Sequence, residues 1–209
     1  FIDKYIGDAI MALFESADDA VAAGIELYHA IVQNPNAEAD FGIPSVKVGI
    51  GIHSGMARIG IVGENERMSG TVISNTVNLS SRIESLTKRY GTGMIISKDT
   101  LDRLKNPDAL STRYLGMVQV AGVNEVAGLY EILDCLEDGR RENLEQNKDL
   151  FRKAVRLFHM GDLQQSMEMF QTLTNQNPED KAAPLYYQYI QEKLTRGDTE
   201  HNVFRFVNK

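Results

Sequence analysis

Three stretches of this sequence carry side chains whose types and spacing could do chemistry. The first is Phe1-Ile2-Asp3-Lys4-Tyr5-Ile6-Gly7-Asp8-Ala9-Ile10-Met11-Ala12-Leu13-Phe14. Two β-compatible runs flank Gly7-Asp8, which predicts a two-residue hairpin with glycine supplying the positive φ. Lys4 then lies on a strand and Asp8 projects from the tip. A carboxylate on a rigid turn can hold Mg²⁺, which takes one or two carboxylates together with substrate phosphates. Taken alone, such an Asp more often satisfies backbone donors of its own turn. The second stretch is Val48-Gly49-Ile50-Gly51-Ile52-His53-Ser54-Gly55, with Gly60 and Gly63 beyond it. Glycine at alternate strand positions strips one sheet face of side chains, so that another group can lie against the backbone. His53 by itself reads as a structural histidine. The third stretch, Thr71-Val72-Ile73-Ser74-Asn75-Thr76-Val77-Asn78-Leu79-Ser80-Ser81-Arg82-Ile83-Glu84, places Asn78 and Arg82 at i, i+4 on one helix face. A neutral amide beside a guanidinium suits a ribose-phosphate group, although an isolated pair of this kind more often forms a solvated polar face.

The surrounding pattern supplies the elements that must position these groups. Ser16 as N-cap, with Asp18 and Asp19 in the first turn, opens a helix whose stripe is Val21, Ile25, Tyr28 and Val32, ending near Asn34-Pro35. Residues 35–45 read as a polar loop. Val46–His53 and Ala57–Val62 read as strands joined through Ser54-Gly55 in a second hairpin, and residues 63–74 as a Gly-rich polar loop. A helix is predicted from about Asn75 to Tyr90 with the stripe Leu79, Ile83, Leu86 and Tyr90. Met94–Ser97 reads as a buried strand, Lys98–Leu104 as a short helix, and Tyr114–Val120 and Gly128–Leu133 as strands. Helices alternating with mainly antiparallel strands argue an α+β sheet covered on one side.

After Cys135 the character changes. Residues 137–149 are almost wholly charged or polar, as in a linker or solvated helix. Phe151–Pro184 spans 34 residues and reads Phe-x-x-Ala-x-x-Leu-Phe-x-x-Gly-Asp, then Ser166, Phe170 and Asn177-Pro178. That is the pattern of one tetratricopeptide-like helix pair, with Leu185–Leu194 as a capping helix; an ordinary helical hairpin fits as well. One repeat cannot bury its own faces, so it packs on the preceding unit or on a protein partner. Phe158, Met160, Met167, Met169 and Phe170 read as core.

Composition narrows the classes. The 209 residues carry a net charge of −7, are 43% hydrophobic, and include a single cysteine and no tryptophan. An internal disulfide framework is excluded and a reducing, cytoplasmic compartment is favoured. No apolar run approaches the roughly 18 residues that cross a bilayer, though the parent could be anchored upstream. The acidic balance speaks against a nucleic-acid surface. Phe1 opens inside a predicted strand, with neither an initiator Met nor a signal-peptide pattern, which reads as a piece of a longer polypeptide.

Together, the three stretches resemble the catalytic domain of the class III nucleotide cyclases, the adenylate and guanylate cyclases, over about residues 1–135. The resemblance implies a ferredoxin-like α+β fold acting as a head-to-tail homodimer with active sites across the interface. The expected organisation is a catalytic domain over 1–135, a linker or helix over 136–150, a small all-α tetratricopeptide-like extension over 151–196, and a tail over 197–209. Carried over residue by residue, Asp8 matches one of two metal-binding aspartates, Lys4 the purine-reading lysine and Thr71 the second purine-reading position. Asn78 matches the asparagine that orients the ribose, and Arg82 the arginine that stabilises charge at the α-phosphate. The family uses two Mg²⁺ or Mn²⁺ ions per site. Its other metal aspartate belongs to a strand upstream of Phe1, so this stretch alone is expected to be inactive and to follow a sensor or regulatory domain.

Lys4 can only donate a hydrogen bond, whereas the Thr71 hydroxyl can accept one. That pair fits adenine, which offers an acceptor at N1 and a donor at N6, and opposes guanine; a buried mismatch costs about 1–3 kcal/mol. ATP is therefore the expected substrate, with 3′,5′-cyclic AMP and pyrophosphate as products. Two departures from the family stand out. Ala121 and Val123 flank Gly122 where relatives commonly carry lysine, and Ser74-Asn75 replaces a common Gly-Asp. The first of these supports the alternative of a weak or inactive cyclase-homology module serving as a regulatory dimer partner.

Overall fold

The computed structural model describes residues 1–32, 42, 47–62, 69–119, 126–198 and 203–206. Strands β1 (Ile2–Ile6) and β2 (Ala9–Ala12) form an antiparallel hairpin around Gly7-Asp8. Gly7 has φ +63°, where a Cβ would be strained, which is why glycine fits this tip. The hairpin is its own two-stranded sheet. Helix α1 (Ala17–Val32) follows, its first turn capped by the Ser16 hydroxyl, which accepts from the Asp19 amide at 3.4 Å.

A five-stranded mixed sheet forms the body. It contains β3 (Ile50–Ile52), β6 (Met94–Ser97), β7 (Thr112–Gln119), β8 (Val126–Ile132) and β9 (Phe204–Arg205), in the order β3-β6-β8-β7-β9. The β3/β6 and β7/β9 pairs are parallel, and β6/β8 and β7/β8 are antiparallel. The α+β class of the expectation is seen, but two details of the sequence reading are corrected. Val46–His53 and Ala57–Val62 do not form a hairpin. Instead β3 spans only Ile50–Ile52 and pairs with β6, while β4 (Arg58–Val62) pairs with β5 (Ser69–Ile73) in a separate sheet. The expected loop over 63–74 therefore ends in a strand, because Thr71-Val72-Ile73 has the β-branched composition that a ladder favours.

The sheet is also covered on both faces. Every residue of β6 is buried, the signature of a strand packed on two sides. Alternation sends Met94 and Ile96 into a cluster with Val21 of α1, and Ile95 into a larger one with Leu79 and Ile83 of helix α2 (Asn75–Tyr90). A short helix α3 (Lys98–Leu101) and a single 3-10 turn (Pro107–Ala109) link β6 to β7.

Three helices complete the larger cluster: α4 (Asp138–Met160), α5 (Leu163–Gln176) and α6 (Ala182–Arg196). The charged stretch 137–149 is thus helical, with Leu144 buried on its inner side. Phe151, Phe158, Phe170 and Tyr186 pack edge to face or stacked, with centroids 4.7–6.0 Å apart. Of the five residues expected in the core, Phe158 and Phe170 are fully buried, but Met160 is 79% exposed at the end of α4. The helices join the sheet through a buried polar clasp. Arg113 of β7 donates to Glu131 of β8 and, bidentately at 2.7 and 3.0 Å, to Asp180 ahead of α6. Burial opposes its charge, yet the two carboxylates outweigh this and raise its pKa. At the bulge in β7, Gly116 has φ +110°, and a Cβ there would meet the Tyr186 hydroxyl at 2.3 Å. That hydroxyl donates to the Leu115 carbonyl at 2.5 Å. Beyond the helices, Phe204–Arg205, within the expected tail, pairs with the sheet as β9.

Candidate active site

Helix α2 carries Asn78 and Arg82 and is fixed on three sides. Ser74 is the N-cap, its hydroxyl accepting from the Thr76 amide, so Ser74-Asn75 serves this end without a Gly-Asp pair. The Ser74 and Thr76 hydroxyls both donate to the Met56 carbonyl, at 2.7 and 2.9 Å, and Ser80 donates to the Gly51 carbonyl at 2.9 Å. The group that lies against the bare glycine face of β3 is this helix. A Cβ at Gly51 would meet the Glu84 nitrogen at 2.2 Å and the Ser80 oxygen at 2.6 Å. Leu79, Ile83, Leu86 and Tyr90 are buried beneath it, which turns Asn78 and Arg82 outward. Asn78 is exposed and Arg82 half-buried, and among the described residues neither side chain has a partner. His53 is structural, as read: its Nδ1 lies 2.8 Å from the Ser97 hydroxyl.

Lys4 and Asp8 sit on the hairpin. Asp8 is exposed at the tip; Lys4 lies opposite Met11 and is half-exposed. A register shift between Ile2 and Lys4 brings two sequence neighbours together, so that the Lys4 ammonium lies 3.3 Å from the Asp3 carboxylate. Sequence reasoning passed over Asp3, because strand neighbours ordinarily point to opposite faces and nothing in the residue pattern announces the bulge. Asp3 is 8% exposed at its side chain and can hold the lysine in place. Thr71 belongs to β5 and pairs with Gly60 through the backbone; its side chain lies outside the described residues, as do Ala121 and Val123. The fold thus groups the candidates in two pairs on separate elements, one on the hairpin and one on α2. The chain's own donor set offers a cation the single carboxylate of Asp8: among the described residues, no three His, Cys, Asp or Glu side chains converge. Cys135 takes no part, since burial pushes its thiol up to about 12 and its Sγ donates to the Ile132 carbonyl.

The sequence profile of the adenylate and guanylate cyclase catalytic domain matches residues 4–132. An adenylate cyclase of Anabaena cylindrica is 42% identical over 140 residues, covering 63% of this chain and 28% of its own length. The terminal-differentiation-specific adenylate cyclase of Dictyostelium discoideum is 32% identical over 195 residues, covering 90% of this chain and 9% of its own. That similarity runs beyond residue 132 into the helices. The chain therefore spans less than a third of these relatives. Among solved structures, the adenylyl cyclase CyaB of P. aeruginosa matches with TM-score 0.51 and 28% identity, over 63% of this chain and 70% of that one. The guanylyl cyclase Cya2 matches with TM-score 0.51 and 30% identity, over 64% and 69%. The profile covers more than half of the 209 residues, and the chain belongs to the adenylate and guanylate cyclase catalytic domain family.

Proposed function

We propose that this chain is the catalytic region of an adenylate cyclase that converts ATP to 3′,5′-cyclic AMP and pyrophosphate at sites shared by two copies. The observation that carries this reading is the Asn78/Arg82 pair: outward-facing, without partners among the described residues, and held on a helix that the core fixes from beneath. In the reaction the ribose 3′-oxygen attacks the α-phosphorus and pyrophosphate leaves. Asn78 hydrogen-bonds the ribose and sets its 3′-oxygen in line. Arg82 stabilises the charge that builds on the transferring phosphoryl group, where preorganised electrostatics supply most of the acceleration. Lys4, steadied by Asp3, and Thr71 read adenine as donor and acceptor.

Asp8 fits one ligand position of Mg²⁺ or Mn²⁺, ions that accept few carboxylates and take the rest of their shell from phosphate and water. When bound, such ions neutralise the triphosphate and favour the ionised 3′-oxygen. Phe1, Tyr5, Ile6 and Ile10 are exposed on the hairpin, an apolar surface that a second copy would cover. In this arrangement Asp8 of one copy works with Lys4, Thr71, Asn78 and Arg82 of the other. Within each copy we assign residues 1–135 to a ferredoxin-like catalytic unit, preceded by a regulatory domain. The helices after it form a tetratricopeptide-like extension open to a protein partner. Among the described residues no helix is long and apolar enough to cross a membrane, and a cytoplasmic site of action fits this reading.

The test is product formation from ATP and from GTP by the longest natural protein that contains this chain, with Mg²⁺ or Mn²⁺. Cyclic AMP formation that Arg82→Ala abolishes supports the assignment. ATP binding without product would favour the regulatory-partner alternative suggested by Ala121 and Val123.

A further inference from the structure

We propose that the segment Val203–Phe206 is a clamp on the C-terminal end of α2 and that Phe206 is a positioning residue for Asn78 and Arg82. The inference rests on the cyclase reading of those two residues.

The two ends of α2 are held differently. Its N-terminal half is tied to β3 and to residue 56 by three side-chain hydroxyls. Its C-terminal end is held from the extension, by three separate pieces of chain. Arg140 in the first turn of α4 donates to the Gly91 carbonyl at 2.6 Å, satisfying a group at the helix terminus. The Lys181 side chain, just ahead of α6, fills the space beside Gly91. The third piece is the β9 segment. Phe206, 8% exposed, meets Tyr90 edge to face at 5.5 Å, and the Arg89 guanidinium lies 5.4 Å from the same ring. The segment is itself well seated. Its backbone pairs with Val118 and Gln119 of β7, Phe204 stacks on Tyr189 at 4.3 Å, and the Tyr189 hydroxyl bridges the Val203 carbonyl and the Arg205 amide.

A helix transmits such a constraint along its length. At 1.5 Å per residue, Asn78 lies about 18 Å from Tyr90, so a change of tilt of about 5° shifts one end of the helix relative to the other by about 1.5 Å. Displacements near 1 Å are enough to cost about a hundredfold in rate when they misplace groups at the reacting centre. The extension thereby acts on the reaction through α2 without touching substrate.

The experiment compares Phe206→Ala, Phe206→Leu and Arg140→Ala in the longest natural protein containing this chain. It measures amide hydrogen exchange together with kcat and KM for ATP. The clamp predicts that Phe206→Ala speeds exchange across residues 76–83 about tenfold while β6 and β8 keep wild-type protection. It also predicts that kcat falls about tenfold with KM within a factor of two, a loss realised in the transition state. Phe206→Leu, which keeps most of the bulk, restores most of both. Arg140→Ala removes a different contact to the same helix end without opening the aromatic core, and gives the same pattern. Unchanged exchange in α2 once residues 203–206 have lost protection would overturn the proposal. So would exchange that rises equally in β6 and β8, or a KM effect at constant kcat. If the wild-type protein forms no cyclic nucleotide, the cyclase reading fails, and the exchange measurement still decides the clamp.

Discussion

The hairpin and helix α2 each carry two of the candidate site residues, and they are held in opposite ways. Helix α2 buries Leu79, Ile83, Leu86 and Tyr90, meets the β3 backbone at Gly51, and is capped at both ends. Its polar residues are therefore displayed from a fixed platform, which is what transition-state stabilisation requires. Among the described residues the hairpin's strands pair only with each other, and Phe1 (71%) and Tyr5 (69%) are exposed. Lys4 and Asp8 sit on an element whose apolar side chains this one chain leaves uncovered. The contrast teaches that the two pairs are held differently: the core of this chain fixes Asn78 and Arg82 from beneath, whereas the hairpin that carries Lys4 and Asp8 keeps its apolar side chains exposed.

Substitutions can break this contrast. The largest effect is expected for Ile83→Ala, beneath α2, which should lower the unfolding free energy by about 2–5 kcal/mol in denaturant titrations, as for a fully buried aliphatic residue. Beside the apolar stripe of the same helix, Arg82→Ala should lower kcat by about 10²–10³-fold, the range for one preorganised stabilising group. Its circular dichroism and thermal midpoint should stay unchanged. Lys4→Glu should reduce kcat/KM for ATP by about 5- to 150-fold, the equivalent of the 1–3 kcal/mol of a buried mismatch, again without loss of folding. An intact ATP profile in that variant would reject the base-reading role. Ile6→Ser on the hairpin should change the unfolding free energy of the isolated chain by no more than about 0.5 kcal/mol, while weakening self-association in sedimentation. A large stability loss there would mean that the hairpin is core after all.

The smallest effect concerns the buried thiol beneath α1. Burial raises the folded-state pKa of Cys135 from the ordinary thiol value of 9.0 to about 12. The unfolded chain therefore binds fewer protons between these values, and the thiol's stabilising contribution is present below pH 9 and lost as pH rises toward 12. Iodoacetamide at pH 8 should label Cys135 slowly in the native protein and rapidly after denaturation.

Much of this was legible in the sequence, and the reasons differ by element. The bounds of α2 follow from its stripe, from Ser74 and from Gly91, all local signals. Gly7-Asp8 gave the hairpin through the same kind of chemistry. The β3–β4 linkage was misread, since which strand pairs with which is set by distant partners: Gly51 sits against Ile95, 44 positions away in the sequence. The two-sided burial of β6 was misjudged although its unbroken Met94-Ile95-Ile96 run already carries the sign. The clasp of Arg113 with Glu131 and Asp180, and the return of Phe204–Phe206 to the sheet, join residues from three regions of the chain, and no local pattern encodes them. Within the site, the polar residues on α2 were visible as types at a spacing. The Asp3–Lys4 contact was not, because it depends on a bulge.

The most direct test of the shared site is complementation between two damaged copies. Asp8→Asn and Arg82→Ala proteins, each inactive alone, would be mixed or co-expressed and cyclic AMP formation measured. If Asp8 of one copy works with Arg82 of the other, half of the random dimers regain one of two sites, and activity returns to about a quarter of wild type. If both residues serve a site within one copy, no mixture recovers activity, and that result would contradict the account.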